Sequence, residues 1–257
     1  MNPYFEMLEF PAVLEKLKEC ALSDAAKAKI DGLTPALGEA ACVNAMAETT
    51  AARAVLDALG APPLTMMKNL AETVTLAEIG AMLTPGQLSG AALFAVACKR
   101  VAAYLLRAAG QAPAIAAYGR EIAPLEDLRE EIERCVDDER VLDDASPALR
   151  NLRRKAEHLE GRIKEKLNRI LQSSKPYLAD GYITRRGGHY VLPVQRKFQS
   201  KFDGAVIDAS ASGATVFMEP RAVAAAQAEL AQLAVEEDAE ERRILYTLSV
   251  LVADHAW

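Results

Sequence analysis

The residues best suited to chemistry in this 257-residue chain are basic side chains between positions 185 and 201. Guanidinium and ammonium groups donate hydrogen bonds and carry fixed positive charge, so a cluster of them is typical of a surface that contacts a polyanion. The carboxylates expected to face them are Asp203 and Asp208. The predicted contact residues are Arg185, Arg186, Arg196, Lys197 and Lys201, with His189 as an additional contact.

Charge is unevenly distributed along the chain, although the formal net charge is −6. Residues 146–201 contain 14 basic and 4 acidic side chains. Residues 1–145 contain 13 basic and 22 acidic ones, and residues 202–257 contain 3 and 10. A basic segment inside an acidic protein favours contact with nucleic acid. The alternative is a solvated helix face that the acidic segment after it neutralises.

Residues 146–179 are predicted to form a long outgoing helix. Ser146 is a good N-cap, and Pro147 suits the first helical position, where its missing N–H costs nothing. Apolar residues follow at spacings of three and four, with Lys166 filling a gap, which is typical of a coiled-coil stripe. The stripe consists of Leu149, Leu152, Ala156, Leu159, Ile163 and Ile170. Second candidates for polyanion contact, with pairing to the partner helix as the alternative, are Arg153, Arg154 and Lys155.

Residues 180–219 have the composition of β-structure, because β-branched and aromatic residues cluster between Gly and Ser turns. Four short antiparallel strands are predicted there. The helical period returns in residues 220–257, whose acidic run is expected to place Glu237 near Arg162. The two helices would then form an antiparallel arm, with the small β domain and its positive charge at the tip.

Residues 1–145 are predicted to form an all-α core domain. Aromatic residues are only 5% of the whole chain, and no run with the period of a strand occurs in this part. Thr84 and Pro85 are expected to begin the third long helical stretch of this part. The predicted class is therefore mainly α with a small inserted antiparallel β domain.

No catalytic or metal-ligating arrangement is predicted. The chain lacks a GxxxxGK[ST] phosphate loop, and its three histidines have no second ligand at metal spacing. No apolar run approaches the roughly 20 residues that cross a bilayer, so no membrane contact is expected. Widely spaced cysteines indicate reduced thiols, serving as small buried hydrophobes, in a cytoplasmic protein. They are Cys20, Cys42, Cys98 and Cys135.

Several motifs together resemble the mismatch-repair-like MutS family, specifically its second bacterial branch, which is associated with recombination suppression. They are Leu8-Glu9-Phe10, the run from Asp144 to Arg150, the run from His189 to Val194, and the run from Asp208 to Pro220. The likeness covers essentially the whole chain, and the last of these motifs is the most specific. At the position of His189 the family usually has an arginine, which would contact a phosphate. The histidine of this chain departs from that pattern.

The resemblance implies a helical core, long lever helices and a β clamp, in a homodimer whose clamps close around duplex or branched DNA during recombination suppression and DNA repair. It also implies that the chain is a fragment without a cofactor, ending inside the returning lever. The ATPase domain, with ATP and Mg, would lie beyond it, and a nuclease module is frequent in this branch. A link to stalled ribosomes makes ribosomal RNA an alternative ligand. From the charge alone, a helical adaptor that docks an acidic protein surface is the other alternative.

Overall fold

A computed structural model describes residues 7–35, 38–65 and 69–256. The chain forms two compact units, one of Met1–Arg140 with Tyr246–Trp257 and the other of Val141–Leu245. The predicted class is confirmed, because the described part is mainly helical and contains a small four-stranded antiparallel sheet.

The first unit consists of helices joined by turns and loops, with no β-strand among its described residues. Its helices are α1 (Phe10–Glu19), α2 (Asp24–Asp31), α3 (Glu39–Leu59), α4 (Leu70–Glu78), α5 (Pro85–Arg107), α6 (Pro113–Glu121) and α7 (Glu126–Cys135), with the end of α9 (Arg221–Asp254). Helix α5 begins as predicted, since Thr84 and Gln87 form a reciprocal capping box and Pro85 is the first helical residue. It packs against α4, α6 and α7. The approach to α6 is close, because a Cβ at Gly119 would lie 2.9 Å from Leu105 Cβ.

Helix α5 corrects one expectation. Its 23 residues include a window of mean hydropathy 1.4, so by length and composition alone it could cross a membrane. The expectation that no apolar run approaches that length was wrong. A core helix passes the same test, and Leu88 and Ala92 of α5 are buried in the first unit. Lys99 also pairs with Glu126 of α7 at 2.9 Å. Only 28% of that window is buried, so α5 is a partly exposed helix of the first unit.

The second unit consists of two long helices joined through a small sheet. Helix α8 spans Pro147–Ser173 and α9 spans Arg221–Asp254, of which residues up to Leu245 belong to this unit. The strands are β1 (Thr184–Arg186), β2 (His189–Gln195), β3 (Gly204–Ala209) and β4 (Thr215–Pro220). They are antiparallel in the order β1-β2-β4-β3, and a register shift interrupts the β3–β4 ladder between Val206 and Asp208. Short 3₁₀ helices occupy Asp143–Ala145, Lys175–Tyr177 and Arg196–Lys201.

Helix α8 begins at the predicted residue. The Ser146 hydroxyl accepts a hydrogen bond from the Leu149 N–H at 3.0 Å, which satisfies one of the free donors of the first turn. The same hydroxyl donates to Glu240 Oε1 of α9 at 2.7 Å. The N-cap therefore also joins the two helices.

The apolar stripe of α8 differs from the prediction in its second half. Leu167 and Leu171 are buried there, whereas Lys166 is exposed and Ile170 is half-buried. With Leu159 and Ile163 they form a stripe at every fourth residue, which drifts around a helix of 3.6 residues per turn. The drift has a physical reason, because this end of α8 packs into the core of the sheet as well as against α9.

The pairing between the two helices also corrects the prediction. Glu237 accepts a hydrogen bond from Arg153 Nε at 2.8 Å, rather than lying beside Arg162. Lys166 Nζ donates to the Ala222 carbonyl at 2.5 Å, so α9 begins level with Lys166. The remaining residues of α8, about two turns, extend past α9. The prediction assumed that both helices extend equally far toward the β domain, and it therefore placed Glu237 beside the wrong arginine.

One hydrophobic core joins the sheet to both helices. Its buried members are Leu159, Ile163, Leu167, Leu171, Leu178, Tyr190, Leu192, Val194, Phe202, Val216, Met218 and Val223. The first four lie on α8 and the last on α9, while the rest belong to the sheet and its connections. The β domain is therefore fixed on the two helices by burial of shared apolar surface.

The four cysteines differ from the expectation of burial. Cys135 is buried and Cys98 is half-buried, but Cys20 and Cys42 are exposed. The prediction of small buried hydrophobes is therefore wrong for the last two. Burial raises the pKa of the Cys135 thiol to about 11, which keeps it protonated at neutral pH.

Candidate nucleic-acid interface

Strand β2 divides the predicted contact residues into two groups. The hairpin group, at the start of β2, consists of Arg185, Arg186 and His189, and the 3₁₀ group, just after its end, consists of Arg196, Lys197 and Lys201. The backbone of β2, with seven residues, spans about 20 Å at the rise of a strand, although the Arg186 guanidinium reaches Phe217, which pairs with Pro193 in the middle of β2. The predicted contact residues of the β domain therefore come from two backbone segments, one on each side of β2.

The 3₁₀ group gathers its lysines around an aromatic ring. Lys197 Nζ lies 4.9 Å and Lys201 Nζ 5.9 Å from the centroid of Phe198. Phe198 in turn packs edge-on against Tyr177, with centroids 5.3 Å apart. A cation near an aromatic face is held by the ring quadrupole. The two ammonium groups are thereby held near the same ring.

Arg196 begins the 3₁₀ helix and is fixed through its backbone. Its N–H donates to the Ala214 carbonyl at 3.0 Å, and its guanidinium lies beside Gly213 in the turn before β4. Gly213 has φ +69°, a conformation that favours glycine. Arg196, Lys197 and Lys201 are all exposed, and none has an ion pair within the described residues.

The side chains of the hairpin group are held by more contacts than those of the 3₁₀ group. Arg186 Cζ lies 4.6 Å from the ring centroid of Phe217, and its Nε lies 3.8 Å from Asp208 Oδ2. Arg185 Cζ lies 4.9 Å from the ring centroid of Tyr190. Tyr190 and Phe217 are each only 6% exposed, and Tyr190 belongs to the core that joins the sheet to the helices.

Tyr190 also connects the hairpin group to α8. Its hydroxyl donates to Glu160, which forms an ion pair with Lys164 at 2.8 Å. The Lys164 ammonium and then the Tyr190 hydroxyl lower the pKa of the Glu160 carboxyl below its usual value. Arg185 adds a weaker attraction to the same carboxylate. The positive charge of the hairpin group is thus partly balanced.

His189 faces a buried carboxylate. Its Nδ1 lies 3.2 Å from Oε1 of Glu219, which is 8% exposed. A ring that donates to a carboxylate has one fewer nitrogen for a phosphate. His189 is therefore the weakest contact candidate of the hairpin group.

The arm residues have different surroundings. Arg153 contacts Asp143, Glu237 and Glu241, and its side chain is 22% exposed. Burial opposes its charge, but hydrogen bonds to the three carboxylates outweigh that cost and raise the pKa of the guanidinium. Arg153 thus pairs with the partner helix, the alternative that the sequence left open. The exposed side chains are Arg154 and Lys155.

The carboxylates expected to balance the basic groups are distributed unevenly. Asp203 pairs with Arg221 of α9 at 3.2 Å rather than with any of the predicted contacts, and Asp208 pairs with Arg186. Within the described residues, Arg186 is therefore the only one of the five arginines and lysines between positions 185 and 201 with an ion pair.

Two features of the site were missed from the sequence. Phe198 lies between the two lysines of the 3₁₀ group, a signal that was present in the run Lys-Phe-Gln-Ser-Lys. Its partner Tyr177 lies in a separate 3₁₀ helix, and no local pattern joins the two. Over the described residues, no group of three His, Cys, Asp or Glu side chains could hold a metal ion.

Together these features define a mainly α protein in which a small antiparallel sheet, bearing exposed basic side chains, is inserted between two long helices. The chain matches no protein-family profile. It is similar to proteins named Endonuclease MutS2, which supports the resemblance to the second bacterial branch of the MutS family. The relative from Geobacillus sp. (strain WCH70) is 36% identical over 256 residues, which cover 97% of this chain and 33% of the relative.

Two further relatives have the same name. The protein of Symbiobacterium thermophilum is 36% identical over 251 residues, which cover 97% of this chain and 32% of that protein. The protein of Clostridium beijerinckii is 34% identical over 249 residues, which cover 96% of this chain and 32% of that protein. The chain therefore spans about a third of the length of these relatives.

Proposed function

We propose that the chain is the DNA-binding core, lever and clamp segment of a cytoplasmic protein of the MutS2 type, and that it grips duplex or branched DNA without catalysis of its own. Relatives at 34–36% identity over nearly the whole chain support the family assignment. The inserted β domain between α8 and α9 supports the comparison with a clamp between two levers. Clamping in recombination suppression, as a homodimer driven by an ATPase beyond this segment, belongs to the same proposal.

The proposal rests on the exposed positive charges of the 3₁₀ group. Three cationic side chains are exposed on one short helix, and the described residues provide them with no carboxylate partner. Two of them lie close to the same ring, Phe198. An exposed group of like charges repels itself, and a bound polyanion would relieve that repulsion.

Binding through such a group would use the phosphate backbone. Cationic side chains that neutralise phosphates release condensed counterions, so affinity falls steeply as salt rises. Contacts to phosphate position a protein without reading sequence. We therefore expect binding that is strongly dependent on salt and weakly dependent on sequence. The hairpin group would add contacts through Arg185, whereas Arg186 is already paired with Asp208.

The test measures binding of the chain to a short fluorescent DNA duplex by anisotropy, between about 50 and 200 mM salt. The variant replaces all three members of the 3₁₀ group by glutamine: Arg196→Gln, Lys197→Gln and Lys201→Gln. The matched control removes three exposed charges from the first unit: Lys16→Gln, Arg53→Gln and Arg100→Gln. We expect the variant alone to weaken binding, and its log–log salt slope to fall in magnitude by about three.

Equal behaviour of variant and control would contradict the assignment of the 3₁₀ group. A wild-type chain that shows no salt-dependent binding to the duplex would contradict DNA binding itself. An RNA duplex of the same sequence is measured in parallel, and tighter binding to it would favour the ribosomal RNA alternative. Salt-insensitive capture of an acidic protein, without duplex binding, would favour the adaptor.

A further inference from the structure

A further basic site, outside the β domain, lies on the arm itself, in an open groove of about 500 Å³ between α8 and α9. Its lining residues are Arg154, Lys155, His158, Leu159, Arg162, Glu229 and Leu233. We propose that this groove binds the phosphate backbone of the nucleic acid, as a contact separate from the β domain. This inference rests on the proposed function, because it takes the same class of ligand.

The charges of the groove favour an anion. Arg154, Lys155 and Arg162 are cationic and exposed, and none of them has an ion pair within the described part of the chain. Glu229 is the only carboxylate among the lining residues. The neighbouring Arg153, by contrast, is enclosed by three carboxylates. The acidic run of α9 therefore neutralises Arg153 but leaves the groove positive.

The spacing of these side chains fits an extended ligand. Arg154, His158 and Arg162 follow one another at every fourth residue, so they lie near one face of α8 and span about 12 Å along its axis. A strand of duplex DNA advances about 3.4 Å per phosphate along the duplex axis, so this length would meet about three phosphates. A single small anion would occupy only part of such a row.

The groove is distinct from the contacts that fix the β domain. His158 and Glu160 are two residues apart, and such positions point to nearly opposite sides of a helix. Glu160 accepts the hydrogen bond from Tyr190 on its side of α8. The groove side has the buried Leu159 and the half-buried Leu233 among its lining residues. A ligand in the groove would therefore leave the Tyr190 contact intact.

Histidine signals can report the two sites separately. The chain has three histidines, and His158 lies in the groove, His189 lies in the hairpin group and His255 lies in the first unit. In ¹⁵N-labelled chain, the imidazole correlations are assigned with one His→Gln variant each and followed while the DNA duplex is added. We expect the His158 and His189 signals to move and the His255 signal to stay.

Each result decides between the two proposals. Movement of His189 alone would overturn the groove site and leave binding by the β domain intact. Movement of His158 alone would support the groove and contradict contact by the hairpin group. If no signal moves and no anisotropy change occurs, the proposed function fails, and the groove site fails with it.

A charge variant tests the groove independently of histidine signals. Arg154→Gln with Arg162→Gln is expected to lower duplex affinity and to reduce the magnitude of the salt slope by about two. The matched control, Arg150→Gln with Arg242→Gln, removes two arm arginines that already pair with Asp144 and Asp238. It is expected to keep the wild-type slope. Equal slopes for the two variants would overturn the groove site.

Discussion

The side-chain amide of Gln227 forms two hydrogen bonds with the backbone of Tyr190. The Tyr190 N–H donates to Gln227 Oε1 at 2.5 Å, and Gln227 Nε2 donates to the Tyr190 carbonyl at 2.9 Å. Both residues are buried, at 5% and 6% exposure. Gln227 lies on α9 and Tyr190 on β2, so the amide acts as an extra pairing partner for the strand and fixes it on the helix.

Gln227→Leu is expected to destabilise the second unit by about 3 kcal/mol, because it leaves a buried N–H and a buried carbonyl without partners. The measurement is urea unfolding, together with faster hydrogen exchange of the Tyr190 amide. Gln232→Leu is the control, since Gln232 is exposed and bonds only to Glu236 within the described residues. Equal urea midpoints for the two variants would show that the amide pairing contributes nothing.

Gly204→Ala is expected to destabilise the β domain by about 2–3 kcal/mol. A Cβ at this position would lie 2.3 Å from the Glu219 carbonyl oxygen on the neighbouring strand, and this backbone cannot move without disturbing the β3–β4 pairing. Urea unfolding measures the change. The control is the same substitution at Gly161 in α8, where nothing lies within 4 Å. Gly161→Ala should stabilise the chain by about 0.5–1 kcal/mol, so a loss at Gly161 or no loss at Gly204 would contradict these assignments.

Glu240 is expected to make the free energy of unfolding fall as the pH becomes acidic. Arg243, and then Ser146, lower the pKa of this carboxyl from 4.5 to about 2. The pKa of the Glu240 carboxyl is lower in the folded chain than in the unfolded chain. Its contribution to the free energy of unfolding is therefore complete above about pH 4.5 and is lost as pH falls toward 2. The pKa difference corresponds to at most roughly 3 kcal/mol, which solvent around the exposed Arg243 reduces to about 1 kcal/mol.

The pH dependence is measured as urea midpoints between about pH 6 and pH 3. Glu240→Gln has no carboxyl to titrate at this position, so its stability should fall less across that range than that of the wild-type chain. Parallel curves for the two proteins would show that the contacts of Glu240 with Arg243 and Ser146 do not stabilise the fold.

Local signals in the sequence were sufficient for much of the fold. Ser146 with Pro147, and Thr84 with Pro85, define helix starts through their own chemistry, and both starts were predicted correctly. The stripe of α8 was mistaken near Leu167 because its burial depends on the sheet, which is distant in sequence. The partner of Glu237 was predicted wrongly because α8 continues beyond Lys166, the residue level with which α9 begins.

The basic residues of the site could be chosen from the sequence, but their grouping could not. Arg185 pairs with Tyr190 near the start of β2 and Arg196 follows its end, so their backbones lie about 20 Å apart along the strand although they are close in sequence. Arg153 and Arg154 are adjacent in sequence, yet one is enclosed by carboxylates and the other borders the groove. Neighbouring residues of a helix point about 100° apart, and only the partner helix decides which of them is neutralised.

The sheet has no interior of its own. Tyr190 and Met218 are covered by the same core that contains Leu159, Ile163 and Leu167 of α8. A peptide of residues 180–219 alone would expose that surface to water and would lack the Gln227 amide, so it is expected to remain unfolded. A transplant of the β domain into another protein would consequently have to include the adjoining ends of both helices.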